Sequence, residues 1–154
     1  MSITASVALF YGTKNQVGQV EFWLPFTSKT VEIAPWLFIT ISTIMIWASI
    51  NTTNCTDGVD GLSSTLVLVG LITLGSIFYF ILGHTDIAEY LLVPHLEDGA
   101  SWAVIIFTLC GVLMGYLWHN AYPSKVLMGD AGSRALGFFI GVCVMLSGNP
   151  FLIF

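Results

Sequence analysis

Apolar runs dominate the chain, and charged residues interrupt them so rarely that the uncharged gaps read as structural units. No Asp, Glu, Lys or Arg occurs in 33–56, 61–85, 99–124 or 135–154. Each gap provides the roughly 20 residues a helix needs to cross about 30 Å of hydrocarbon. The pattern predicts an all-α polytopic membrane protein: one membrane-embedded domain over 1–154, with four transmembrane helices near 35–50, 62–83, 101–119 and 135–154. The opening run 3–11 is apolar but too short to span, and it lacks the basic flank and small-residue cleavage site of a signal peptide. It reads as an interfacial stub, or as the tail of a helix whose start lies upstream. Two stretches of period-two alternation, Gln19-Val20-Glu21-Phe22 and Thr30-Val31-Glu32-Ile33, flank Pro25 and Thr27-Ser28-Lys29. They predict a short extracellular hairpin at the membrane surface.

Composition supports this reading and excludes others. Of 154 residues, 56% are apolar and only 8% charged, against about 25% charged in an ordinary globular chain. Lipid, rather than water, is the expected solvent for most of the surface. Such hydrophobicity excludes a disordered chain. A net charge of -5, with only Lys14, Lys29, Lys125 and Arg134 to meet phosphates, excludes a nucleic-acid partner. Cys55, Cys110 and Cys143 are too widely spaced for a zinc signature and odd in number for a disulfide framework. Trp23, Trp36, Trp102 and Trp118 fall near the expected span ends, where indoles anchor at headgroups. The spacings Gly70 to Gly75 and Gly111 to Gly115 are expected to permit close helix packing.

Segments 51–61 and 120–134 are separated by two spans and therefore emerge on the same face. Lys125 and Arg134 lie in the second of them, whereas 84–100 holds Asp86, Glu89, Glu97 and Asp98 without a Lys or Arg. Basic residues mark the cytoplasmic side, so both segments are expected in the cytoplasm, although Lys14 and Lys29 vote the other way. The expected location is a cell membrane, crossed several times.

Both segments carry candidate chemistry. The first reads Asn51-Thr52-Thr53-Asn54-Cys55-Thr56-Asp57-Gly58-Val59-Asp60-Gly61-Leu62. At helical spacing Asn51, Asn54, Asp57 and Asp60 repeat a three-residue step along one face, while Gly58 and Gly61 make a break equally consistent. Either arrangement gathers oxygen ligands at one level; the plainer alternative is that Asp57 and Asp60 cap helices in a tight loop. The second segment, 119–134, places Gly129 and Gly132 around Asp130 just before the last span, with Ser133 expected to cap that helix. Small residues and a helix N-terminus favour an approaching phosphate. Asp130 would repel it unless a hard divalent cation lay between, and Mg²⁺ typically takes one or two carboxylates plus substrate phosphate oxygens. The plainer alternative pairs Asp130 with Arg134 at i, i+4. His119 beside this segment is read first as an interfacial polar tip, and His84 and His95 as loop residues.

Taken together, Asn51-Thr-Thr-Asn54-Cys-Thr-Asp57-Gly-Val-Asp60-Gly-Leu62 and Asn120-Ala-Tyr-Pro-Ser-Lys-Val-Leu-Met-Gly-Asp130-Ala-Gly-Ser-Arg-Ala-Leu-Gly137 resemble the two blocks of the polyprenyl-phosphate hexose-1-phosphate transferases, glycosyltransferase family 4. Thr56 before Asp57-Gly58, and Ala135-Leu136-Gly137, favour its phospho-MurNAc-pentapeptide transferase branch over the branch using undecaprenyl phosphate and N-acetylglucosamine 1-phosphate. The resemblance implies transfer of phospho-MurNAc-pentapeptide from UDP-MurNAc-pentapeptide to undecaprenyl phosphate, with release of UMP and with Mg²⁺ as cofactor. It implies catalytic roles for Asp57, Asp60 and Asp130, metal binding by Asp130 and Asn54, and substrate binding by Asn51, Asn54, Asp57, Gly58, Asp60, Asn120 and Leu127. The family often has an aromatic residue near Leu127 that contacts uracil; leucine leaves an apolar contact without stacking.

The same resemblance also marks what is absent. Family members carry an aspartate pair on an earlier transmembrane helix and a histidine-rich loop near the C-terminus, and here no two aspartates and no two histidines are adjacent. The chain therefore reads as an interior part of a larger transferase domain, not expected to turn over alone. Its expected protein partner is a second copy, as a homodimer, or the missing part of the enzyme. A transporter segment and a non-catalytic membrane scaffold are the competing classes. A transporter places its ionisable residues near the midplane, whereas Asp57, Asp60 and Asp130 fall at span ends.

Overall fold

A computed structural model describes residues 2–17, 21–23, 30–32, 34–58, 60–91, 93 and 95–147. Its helices are α1 (Ser2–Val17), α2 (Pro35–Thr56), α3 (Leu62–Ser76), α4 (Thr85–Tyr90), α5 (Gly99–Asn120) and α6 (Gly129–Leu146), and α3 runs on as a π-helical segment, Ile77–Leu82. Among the described residues four helical stretches are long and apolar enough to cross a membrane: Trp36–Thr56, Leu62–Leu82, Gly99–Asn120 and Gly129–Leu146. The expected hairpin is present as β1 (Glu21–Trp23) and β2 (Thr30–Glu32), antiparallel with Phe22 opposite Val31.

Two helix boundaries differ from those read in the sequence, and both differences bear on the site. Helix α2 does not stop near residue 50 but continues to Thr56. Its terminal polar side chains bond back to the helix's own carbonyls: Asn51 Nδ2 to Trp47 O at 2.7 Å, Thr53 Oγ1 to Ser49 O at 2.9 Å and Thr56 Oγ1 to Thr52 O at 2.7 Å. Residues that usually compete with a helix here satisfy themselves within it. Helix α6 begins at Gly129 rather than near 135, with Asp130 in its first turn, where a carboxylate complements the helix dipole. The far end of that expected span, 148–154, lies outside the described residues.

The long helices associate through small residues, as is common in lipid, where apolar side chains gain little from leaving the hydrocarbon. Helix α6 packs on α2 through Gly137 and Gly141. A Cβ on Gly137 would stand 2.7 Å from Ser49 O and 2.8 Å from the Ile50 Cα, so only glycine permits this approach. Ser49 Oγ then donates to Gly137 O at 2.7 Å. Helix α3 packs on α5 around the fully buried Leu71, Phe78 and Ile106, with Gly75 against Ile106 and Phe107. The expected role of the other spaced glycines is corrected: Gly70, Gly111 and Gly115 have no neighbour within 4 Å of a built Cβ. Close packing depends instead on Gly75, Gly137 and Gly141.

Helix α1 runs along α2 rather than lying alone at an interface, with Thr43 Oγ1 donating to Ser6 Oγ at 3.1 Å and the Phe10 and Phe38 rings 5.9 Å apart. The outward faces stay apolar: Trp47, Val104 and Val112 are all more than 60% exposed, as lipid-facing positions should be. Trp36 and Trp118 are exposed near opposite helix ends, consistent with two headgroup belts.

Candidate active site at one end of the bundle

Because consecutive long helices alternate in direction, the α2–α3 turn and the α5–α6 connection meet at the same end of the bundle. Asp57 closes α2 as its C-terminal cap residue. Glycine breaks the chain at Gly61, whose φ of 74° lies in the left-handed region that L side chains avoid. The three-residue step of the first segment is therefore helical through Asn54 and is lost beyond Asp57. Asn51 is exposed on α2, Asn54 and Asp57 are half-buried, and Gly58 and Asp60 are exposed.

Three cross-links tie this turn to the second segment. Ser133 is fully buried on α6 and its hydroxyl donates to Asn54 Oδ1 on α2 at 2.9 Å. It does not cap α6, as its place in the sequence suggested, because it sits a full turn inside the helix. Asp60 Oδ2 accepts from Ser124 N at 3.5 Å. Asn120, 4% exposed at the end of α5, accepts from Gly61 N at 3.0 Å and Ser64 Oγ at 3.2 Å. Its nitrogen donates to Val126 O at 2.8 Å and Ser124 Oγ at 3.4 Å.

Burial, and then the charge of Asp130, pushes the Asp57 carboxyl above its ordinary value. Asp130 also pairs with Arg134 at 3.3 Å, as its i, i+4 spacing allows, but both side chains are more than half exposed, so that pair contributes little. Leu127 is 74% exposed on the loop before α6, open to an apolar contact. His119 Nδ1 faces Gly115 O of its own helix at 3.2 Å and stays exposed, and His84 Nδ1 faces Tyr79 O at 2.9 Å.

This donor set defines what metal chemistry could take place here. Among the described residues no three His, Cys, Asp or Glu side chains converge on one point, so a cage built only from such side chains is not available. Two carboxylates from separate segments at one end of the bundle, with the Asn54 carbonyl on the same turn, instead suit a hard cation that completes its shell with substrate phosphate oxygens. A dication held near these carboxylates would offset the smaller part of the Asp57 shift, the part that Asp130 adds to burial. Asn54 remains eligible because a carbonyl oxygen has two lone pairs and Ser133 takes one.

Sequence reasoning missed Ser64 and Ser124 and misplaced Ser133. Lone serines near span ends are common, and their partners, 56 to 79 residues away, leave no local signal.

The profile of the family described as Glycosyl transferase family 4 matches residues 1–148. The chain is 62% identical over 135 residues to the phospho-N-acetylmuramoyl-pentapeptide-transferase of Treponema pallidum (strain Nichols), a match covering 88% of this chain and 37% of that protein. Proteins of the same name from Campylobacter hominis and Wolinella succinogenes are 38% identical over 133 residues and 34% identical over 151 residues. Those matches cover 86% and 98% of this chain but 37% and 42% of the relatives. The chain thus spans well under half the length of the curated relatives it matches.

Proposed function

The chain belongs to glycosyl transferase family 4, and on that premise we propose that it supplies the acidic part of a site for lipid I formation. In that reaction phospho-MurNAc-pentapeptide passes from UDP-MurNAc-pentapeptide to undecaprenyl phosphate. A phosphate oxygen of the lipid forms a bond to the sugar-bearing phosphorus of the donor, the bond from that phosphorus to the bridging oxygen breaks, and UMP leaves with the electron pair. The reading is supported by the name shared by the relatives. The observation that carries it is that the two acidic segments meet at one end of the bundle, tied by Ser133 to Asn54, Ser124 N to Asp60 and Gly61 N to Asn120.

Phosphoryl transfer needs little covalent help and depends on alignment and on neutralising phosphate charge. Asp130, with Asp57 and Asn54, would hold Mg²⁺ against the pyrophosphate, where the ion offsets negative charge. Asn51 and the exposed backbone at Gly58 offer donors to the nucleotide, and Leu127 an apolar surface to the base. Asp60 steadies the opposite loop through Ser124 N. Ends of spanning helices would lie at headgroup level, where a lipid phosphate sits, and Lys125 and Arg134 favour that end being cytoplasmic, in a bacterial inner membrane. A position at helix ends rather than at mid-depth disfavours a transport pathway.

The test is UMP release from UDP-MurNAc-pentapeptide by the protein as its gene encodes it, in membranes supplied with undecaprenyl phosphate and Mg²⁺. Asp130→Asn should lower the rate about 100- to 1,000-fold, as loss of a preorganised charge contact does. Undiminished Mg²⁺-dependent release by that variant would sink the assignment. Release from UDP-N-acetylglucosamine alone would move it to the other branch of the family.

A further inference from the structure

Asn120 stands at the junction of both acidic segments, and its chemistry there is unusual for a residue expected to touch substrate. Its side-chain amide is buried and its four hydrogen bonds all go to the protein. The orientation is set by the partners: Gly61 N can only donate, so it must face the amide oxygen, and Val126 O can only accept, so it must face the nitrogen. One half of the amide therefore holds the start of α3. Gly61 is the N-terminal cap residue of that helix, and its own N–H, one of the amides at a helix start that find no partner within the helix, is accepted by Asn120 from a different helix. The other half holds the 121–128 loop that leads into Asp130. Ser124, gripped by the amide nitrogen, in turn presents its own N–H to Asp60.

We infer that Asn120 is a positioning residue that sets the Asp60 turn and the loop entering Asp130 in fixed register, rather than a ligand of the nucleotide. The inference rests on the transferase reading for its catalytic consequence but not for its structural content. Misplacing reacting groups by about 1 Å reduces a rate by roughly 100-fold, so a loosened register shows in turnover before it shows in donor binding.

Hydrogen–deuterium exchange and steady-state kinetics test the two parts separately, both on the protein as its gene encodes it. In Asn120→Ala and in Asn120→Leu, which keeps most of the buried volume, amide exchange should accelerate together in 57–64 and 121–128. Exchange in 46–53 and 137–141, where α2 meets α6, should stay as it was. Exchange that rises in only one of the two segments, or that Leu restores to its original level, would overturn the clamp. On the kinetic side, kcat should fall about 100-fold while KM for UDP-MurNAc-pentapeptide changes by less than about threefold. A large rise in KM at unchanged kcat would make Asn120 a substrate ligand and overturn the inference. No UMP release from the unaltered protein would fail the transferase reading alone, and the exchange result would still decide the clamp.

Discussion

Ser133 on α6, itself fully buried, donates a 2.9 Å hydrogen bond to Oδ1 of the half-buried Asn54 on α2. One helix turn of α6 separates Ser133 from Asp130, and one turn of α2 separates Asn54 from Asp57. The bond therefore fixes the spacing of the two carboxylates through rigid helix. Ser133→Ala should lower stability by about 1 kcal/mol, the usual net value of such a bond, and more if the Asn54 oxygen stays dry. Thermal unfolding in detergent measures the first effect. A drop in UMP release larger than the fraction unfolded would show that the spacing of the carboxylates has shifted as well.

Deeper in the same interface, Gly137→Ala should disturb the α2–α6 contact. Its methyl would meet the Ser49 carbonyl oxygen and the Ile50 Cα below 3.0 Å, and both are backbone atoms that cannot rotate away. A loss of about 1–3 kcal/mol is expected for such overpacking. Gly111→Ala, inside α5 and meeting nothing within 4 Å, should leave the melting temperature the same or slightly higher, because alanine favours the helix over glycine, and serves as the control.

The charge on Asp130 raises the Asp57 carboxyl, after burial has done so first. Asp130→Asn should therefore lower the Asp57 midpoint toward its ordinary value without reaching it, as read from the carbon resonance of its labelled carboxyl. The sign for stability is the reverse of a salt-bridged aspartate. The folded protein holds the Asp57 proton more tightly than the unfolded chain does. Its favourable contribution is complete below the unfolded-state value and is lost as pH rises through the raised folded-state value. Asp130→Asn narrows that window.

Orientation can be read from a single thiol. Cys55 is exposed beside the site, whereas Cys110 and Cys143 are buried. A membrane-impermeant maleimide should label Cys55 in inverted vesicles and leave it unlabelled in intact cells. Labelling in intact cells instead would put the acidic end on the outer face and remove it from a nucleotide donor.

Much of this architecture is legible in one dimension because lipid imposes a simple rule. Charged residues are expelled from the hydrocarbon, so the gaps between them mark the helices, and the two acidic segments stand out against them. The boundaries were harder to read. Asn51, Thr53 and Thr56 look like the end of a span, yet each bonds back to its own helix and extends it. Gly70, Gly111 and Gly115 looked like packing positions, but spacing along a helix does not say which face meets a neighbour.

Sequence alone determined four apolar helices, the segments that join them at one end, and the residue types able to handle phosphate and a divalent cation. Tertiary structure decided which of those residues meet. It brought the Asp57 turn to the start of α6, set Ser133 against Asn54, and turned Asn120 inward to bind two segments at once. Hydropathy is a property of each residue and survives being read singly. A hydrogen bond between residues 79 positions apart depends on how two helices are rotated and how closely Gly137 lets them approach, and no single position in the chain carries that information.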